Sequence, residues 1–256
     1  MEIGTLYAAK FNADGTGTWL ALTPETTGME QAMICIHTRL AASSLGATTM
    51  DRPEWVTANP LKAEVYCALT NNKNRGVKPN AGGDETPVGS PNPREANKYG
   101  QIVRWWPSEA DHTADTFTWD LFVMAGNPSV HSDARGGSAN VNMGNMFNSP
   151  DGLSFDEKGL LWIQTDGNYS NEKDFAGQGN NQMLIGDPAT GEIRRFLVGP
   201  KQAEITGVAW AADRRTVFVG VQHPGERGES NWPDGGDKTP RSSIIAIRRD
   251  DGAALG

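Results

Sequence analysis

Five residues of this chain have types and settings suited to chemistry: Arg52, Glu54, Asp151, Asp166 and Glu204. The four carboxylates stand at or near the ends of short apolar stretches. Glu54 leads EWVTANPLKAEVYCALTNN, Asp151 leads DGLSFDEKGLLWIQTDG with Asp166 near its close, and Glu204 leads EITGVAWAADRRTVFVGVQHPG. Each stretch reads as strand, polar turn, second strand and polar tip. A tight hairpin returns the chain to its starting point, so Glu54 with Asn71, Asp151 with Asp166, and Glu204 with His223 are expected at one end of their hairpins. Hairpins set around a common axis would bring these acids together. Clustered carboxylates raise one another's pKa, and a shared cation is the simplest means of keeping them ionised. Oxygen donors of this kind suit calcium and other hard cations. Arg52, two positions before Glu54, brings a planar bidentate donor able to hold an anion beside such a cluster.

Plainer readings stand beside these. Asp151-Gly152 and Asp166-Gly167 are also favoured turn pairs. Arg52 could form an ordinary salt bridge with Asp51 or Glu54. Lys201 is a second candidate cation or an exposed loop lysine, and His223 is a candidate ligand or a strand cap.

The elements that must position these groups read as β-sheet. Strands are expected at 54–58, 64–70, 100–105 and 117–124, then at 151–156, 160–165, 181–188 and 192–198, and finally at 204–211, 216–222 and 242–250. Repeated acid-led hairpins with frequent turn signals point to an all-β fold, a β-propeller. Residues 6–11 and 18–22 read as the tail of an earlier blade. One helical stretch over 30–44 interrupts the pattern, with Ala32, Ile36, Arg39 and Leu40 at helical spacing. Roughly three blades fall short of the about four to eight of a closed propeller. Residues 1–256 are therefore expected to form one partial propeller domain whose N-terminal half lies outside the chain. Long polar loops at 73–97, 126–149 and 225–240 are expected on the face where the acids gather.

The net charge of −8 opposes binding to nucleic acid or a membrane surface and is compatible with cations. No apolar run is long enough for membrane insertion, and no export signal follows Met1. Cys35 and Cys67 form no metal or redox spacing and are expected as two buried thiols.

The strings GTLYAAKFNADGTGTWLALT, MDRPEW, EVYCALTNNKNR, NPREANKYGQIVRWWP, SPDGLSFDEKGLLWIQTDG, RRFLVGPKQAEITG and VFVGVQHPGE resemble the C-terminal half of PhoX-type alkaline phosphatases over nearly the whole chain. The resemblance implies a periplasmic or secreted propeller enzyme that hydrolyses phosphate monoesters with calcium and iron. It further implies that Arg52 of the Arg52-Pro53-Glu54 motif holds phosphate and that Glu54 ligates metal. Asp151, Asp166 and Glu204 fall in motifs similar to the family's other acidic stations. Gln101 departs from the pattern, in which a histidine often follows the glycine. The family's export signal, its cysteine ligand and further ligating groups belong to the first half, and neither Cys35 nor Cys67 lies in a matching motif. This chain by itself is thus expected to be weakly stable and poorly active. Two competing readings are a calcium-dependent sugar lactonase, similar over PDGLSFDEKGLLWI alone, and a non-catalytic propeller that uses the acids for structural calcium.

Overall fold

A computed structural model describes residues 4–255. The chain begins with β1 (Leu6–Phe11) and β2 (Thr16–Leu22), followed by three short helices, α1 (Pro24–Thr27), α2 (Gln31–Ile36) and α3 (Thr38–Ser44). Then come β3 (Pro53–Ala58), β4 (Val65–Leu69), β5 (Gln101–Pro107) and β6 (Thr116–Met124). These six strands form one antiparallel sheet in the order β1-β2-β6-β5-β4-β3. A second sheet, ordered β10-β9-β8-β7, contains β7 (Pro150–Phe155), β8 (Leu161–Thr165), β9 (Gln182–Gly186) and β10 (Ile193–Val198). The third holds β11 (Glu204–Trp210), β12 (Val217–Gln222) and β13 (Ser243–Ile247) in sequential order.

Strand alternation explains how the sheets stack. β4 reads VYCAL and every residue is buried. Its successive side chains point to opposite faces. Tyr66 and Ala68 join Ile102, Phe122, Leu153 and Ile163 in a core between the first two sheets, whereas Val65, Cys67 and Leu69 join Phe11, Trp105 and Phe117 on the other face. β8 repeats the logic. Leu161 and Ile163 enter the first core, while Trp162 turns toward Met183, Ile205, Val219 and Val221 in the core between the second and third sheets. Burying each large apolar side chain contributes about 1.5–3 kcal/mol. The result brings β3 and β4 against β7, and β11 against β7 and β8.

Three expectations require correction. Residues 6–11 and 18–22 are no remnant of an earlier blade, because β2 pairs with β6 and extends the outer edge of the first sheet. Gly17 permits this pairing, since a Cβ there would lie 2.1 Å from the Phe117 ring. The helical stretch over 30–44 is broken at His37, whose φ of −113° and ψ of 44° leave the helix, and α1 precedes it behind a Thr23–Thr26 capping box. Cys67 is a buried free thiol as expected, but Cys35 is exposed, on a short helix buried only through Ile34. No described helix is long and apolar enough to cross a membrane.

Candidate active site

Glu54, Asp151 and Glu204 lie where β3, β7 and β11 begin, and Asp166 follows the end of β8. Two positions before each of the first three, the backbone enters the left-handed region: Arg52 has φ 54°, Ser149 52° and Gln202 55°. Such conformations cost on the order of 1–3 kcal/mol each and persist only where surrounding structure imposes them. Pro53 and Pro150 follow the first two, which normally pushes the preceding residue toward extended geometry. The return strands help hold the unusual backbone in place. Thr70 N–H donates to Arg52 O and Asp166 N–H to Ser149 O, both at 3.1 Å.

A second device re-aims the acids. The β3–β4 register slips between Pro53 and Val56, and the β7–β8 register slips between Pro150 and Leu153. Glu54 and Asp151 therefore sit in equivalent bulges, which bend a strand and redirect its side chains. Asp151-Gly152 is consequently part of a strand and not a turn pair. A Cβ at Gly152 would lie 2.4 Å from Gln164 Oε1, so a larger residue there would have to push the Gln164 amide aside. In β11 the slip comes later, between Thr206 and Val208, and Glu204 pairs directly with Gln222.

Asp151, Asp166 and Glu204 each present an oxygen, and these atoms all lie within 4.8 Å of one another. Glu54 approaches from the first sheet, where Arg52 Nη2 lies 3.3 Å from its Oε1. Arg52 Nη1 also donates to Asn71 Oδ1 at 3.2 Å. His223 Nε2 lies 3.3 Å from Glu204 Oε2, which also accepts from Gln222 Nε2 at 2.8 Å. Each hairpin thus joins its two ends as the sequence predicts. Lys201 is exposed and forms no ion pair among the described residues.

The cluster is short of positive charge. Desolvation, then the charges of Glu54 and Asp166, push the Asp151 carboxyl up to about 6. Desolvation followed by Asp166 and Asp151 pushes Glu204 up to about 7, despite the opposing effect of His223. Asp166 is also raised, by desolvation first, with Arg52 and His223 pulling the other way. An all-oxygen set whose acids are held above their ordinary range is what a hard cation would bind and ionise. No thiolate competes nearby, because burial, then Glu54, pushes the Cys67 thiol up to about 12.

Sequence reasoning missed the support beneath Arg52. Asp51 is fully buried, and its carboxylate accepts from Arg75 Nε at 2.7 Å and Asn97 Nδ2 at 2.9 Å. Gln101 completes this network: its Oε1 accepts from Asn97 Nδ2 at 2.6 Å and its Nε2 donates to Pro91 O at 3.1 Å. The sequence offers Asp51 only as a candidate partner of Arg52. The available signal was the asparagine-rich loop 73–97, which contains Arg75 and Asn97.

A family model for alkaline phosphatase PhoX matches residues 1–225. The chain belongs to the PhoX alkaline phosphatase family. Among solved structures, it is similar to Pseudomonas fluorescens PhoX in complex with vanadate, a transition state analogue, at 54% identity and a TM-score of 0.92. That match covers 98% of this chain and 45% of the other, so the chain spans less than half the length of this PhoX relative. No curated protein matches. The Arg52-Pro53-Glu54 motif and the Asp151, Asp166 and Glu204 cluster all lie within the residues that the family model matches.

Proposed function

We propose that this chain supplies the phosphate-holding arginine and part of the metal cage of a metal-dependent phosphomonoesterase. The observation carrying this reading is the set of Asp151, Asp166 and Glu204 oxygens within 4.8 Å, underserved in positive charge and approached by Arg52 and Glu54, in a PhoX-family chain. Glu54, Asp151, Asp166 and Glu204 are the proposed ligands of calcium and iron. Such ions, when bound, supply Lewis-acid activation of the phosphoester and of water.

The chain's own residues account for orientation and charge. Arg52 is held by Glu54 on one side and Asn71 on the other, so its fork is aimed before an ester arrives. Its permanent charge would grip phosphoryl oxygens and offset the negative charge they develop in the transition state. The ester's phosphate therefore docks on the arginine side of the cluster. Asp151 and Glu204, held high in the absence of cations, release their protons on loading and become full ligands.

The three sheets, in which β3, β7 and β11 each carry one of the acids, support a β-propeller of which this chain forms an incomplete arc of roughly three blades. Trp55 and Val56 on β3 are more than half exposed, as expected for an inner strand facing further blades. Family membership supports export of the parent protein to the periplasm or cell surface, a compartment that fractionation would establish.

The direct test is metal analysis and p-nitrophenyl phosphate hydrolysis by the full-length protein. Iron and calcium together with turnover are expected. Calcium without hydrolysis would overturn the enzymatic reading. Arg52→Ala should lower kcat/KM by about 10²–10³-fold, the usual consequence of removing one preorganised donor to transition-state charge; unchanged turnover would remove Arg52 from the reaction.

A further inference from the structure

Beside Arg52 lies a cleft of about 470 Å³ that the phosphate reading leaves unused. Its floor is the segment from Thr48 to Pro53, one wall is α3, and the other is the loop containing Asn74, Asn80 and Asp84. The volume falls in the range of pockets that hold small molecules, about 300–1,000 Å³. Because Arg52 lines the cleft and also bonds Glu54 of the acidic cluster, an ester gripped through its phosphate would have this space within reach of its alcohol portion.

The polar groups along the walls divide into two sets. Asn80, Asp84 and Thr86 are committed to shaping the loop: Asn80 Nδ2 donates to Asp84 Oδ2 at 3.0 Å, and Thr86 Oγ1 donates to Lys78 O at 2.8 Å. Arg39, Asn72 and Asn74 retain spare capacity. Among the described residues, the side chains of Arg39 and Asn74 make no hydrogen bond or ion pair, and Asn72 uses only its Oδ1, which accepts from Asn74 N–H at 2.9 Å. These amides and the guanidinium offer several donors and one full carbonyl acceptor around one space. That is the complement of adjacent hydroxyl groups, which both donate and accept.

Two further facts narrow the occupant. No aromatic ring lines the cleft, so a flat aryl group or base would find nothing to stack on. The Asp84 carboxylate in the same lining, on which the charge of Arg39 acts, opposes a second phosphate in this space.

We infer that this cleft seats the leaving-group alcohol and selects polyhydroxylated alcohols through Arg39, Asn72 and Asn74. The inference rests on the proposed phosphatase reading for the phosphate end of the ligand. Sites built to hydrogen-bond a hydroxyl discriminate strongly against ligands that lack it, because their own polar groups are then left unpaired.

The test uses the full-length protein and compares kcat/KM for glucose 6-phosphate with that for p-nitrophenyl phosphate. Asn74→Ala is the main variant because its side chain supports no contact in the fold, and Arg39→Met is the second. In both, the ratio of sugar ester to aryl ester is expected to fall about tenfold. A ratio that does not move in either variant overturns the inference. If the wild-type protein hydrolyses neither ester, the phosphatase reading fails instead. The cleft is then judged by titrating the ¹⁵N-labelled protein with glucose 6-phosphate and with inorganic phosphate. A shift of the Asn74 side-chain amide signal, assigned by its loss in Asn74→Ala, is expected with the sugar ester alone. Absence of that shift, or an equal shift with phosphate, overturns the inference.

Discussion

Asp51 and Asp151 both lie close to the start of an edge strand, β3 and β7 respectively, and they are held in opposite ways. Asp51 is fully buried, but side chains satisfy it: Arg75 neutralises it at 2.7 Å, and Asn97 donates to its second oxygen at 2.9 Å. Asp151 is only partly buried, yet desolvation, then the like charges of Glu54 and Asp166, push its carboxyl up to about 6. Its position comes from the backbone, through the left-handed Ser149, the bulge at the start of β7 and the close approach of Gln164 to Gly152. Depth alone therefore does not mark a functional acid. A buried carboxylate with its own cation is architecture, whereas a carboxylate held among other acids is poised for a partner from outside.

The strongest way to break this contrast is to remove Asp51. Asp51→Ala should destabilise the protein by about 3–5 kcal/mol, because it leaves the buried Arg75 charge unpaired. Urea unfolding monitored by tryptophan fluorescence measures it; a loss below about 1 kcal/mol would show that the pair is dispensable. Gly152→Ala attacks the backbone device on the other side. The new methyl group must displace Gln164, with an expected loss of about 1–3 kcal/mol together with weaker metal binding. Intact metal affinity in that variant would mean that the bulge does not aim Asp151.

The smaller effects concern protons. In the metal-free protein, Asp151 at about 6 and Glu204 at about 7 lie above their ordinary values of 3.8 and 4.5. Between those limits the folded state binds more protons than the unfolded state, so stability from these groups falls as pH rises. Their contribution is fully present below the ordinary values and is lost through the folded ones. Metal-free protein should therefore be less stable at pH 8 than at pH 5 as far as these groups are concerned, and Asp151→Asn with Glu204→Gln should flatten that part of the profile. Added calcium should restore stability at pH 8. A metal-free profile identical in wild type and double variant would deny the charge shortage. By the same logic, Asp151→Asn alone should leave metal-free stability at pH 8 unchanged or slightly raised, in direct opposition to Asp51→Ala.

Much of the fold was legible from local pattern. VYCAL and LLWIQT announce central strands because both faces are apolar, and Pro53 and Pro150 mark strand starts because proline cannot donate to a ladder. The outer hairpin of β1 and β2 was misplaced because its partner, β6, lies far along the chain, and nothing local tells an edge extension from a separate sheet. Asp151-Gly152 was legible as a functional candidate, but its geometry was ambiguous, since the same dipeptide serves a turn or a bulge. Gln101 is a departure from the pattern in the sequence, and in the fold its amide bridges Asn97 and Pro91.

By itself the sequence determined the strand periodicity, the family motifs and the identity of the acids, because side-chain alternation and residue type are carried by neighbours in the chain. Only the tertiary structure decided that Asp151, Asp166 and Glu204 share one space, that Asp51 is neutralised by Arg75, and that Arg52 borders both the cluster and a polar cleft. Those relations depend on how separate sheets stack. Charge, burial and hydrogen bonding act through distance in space, and distance along the chain does not encode it.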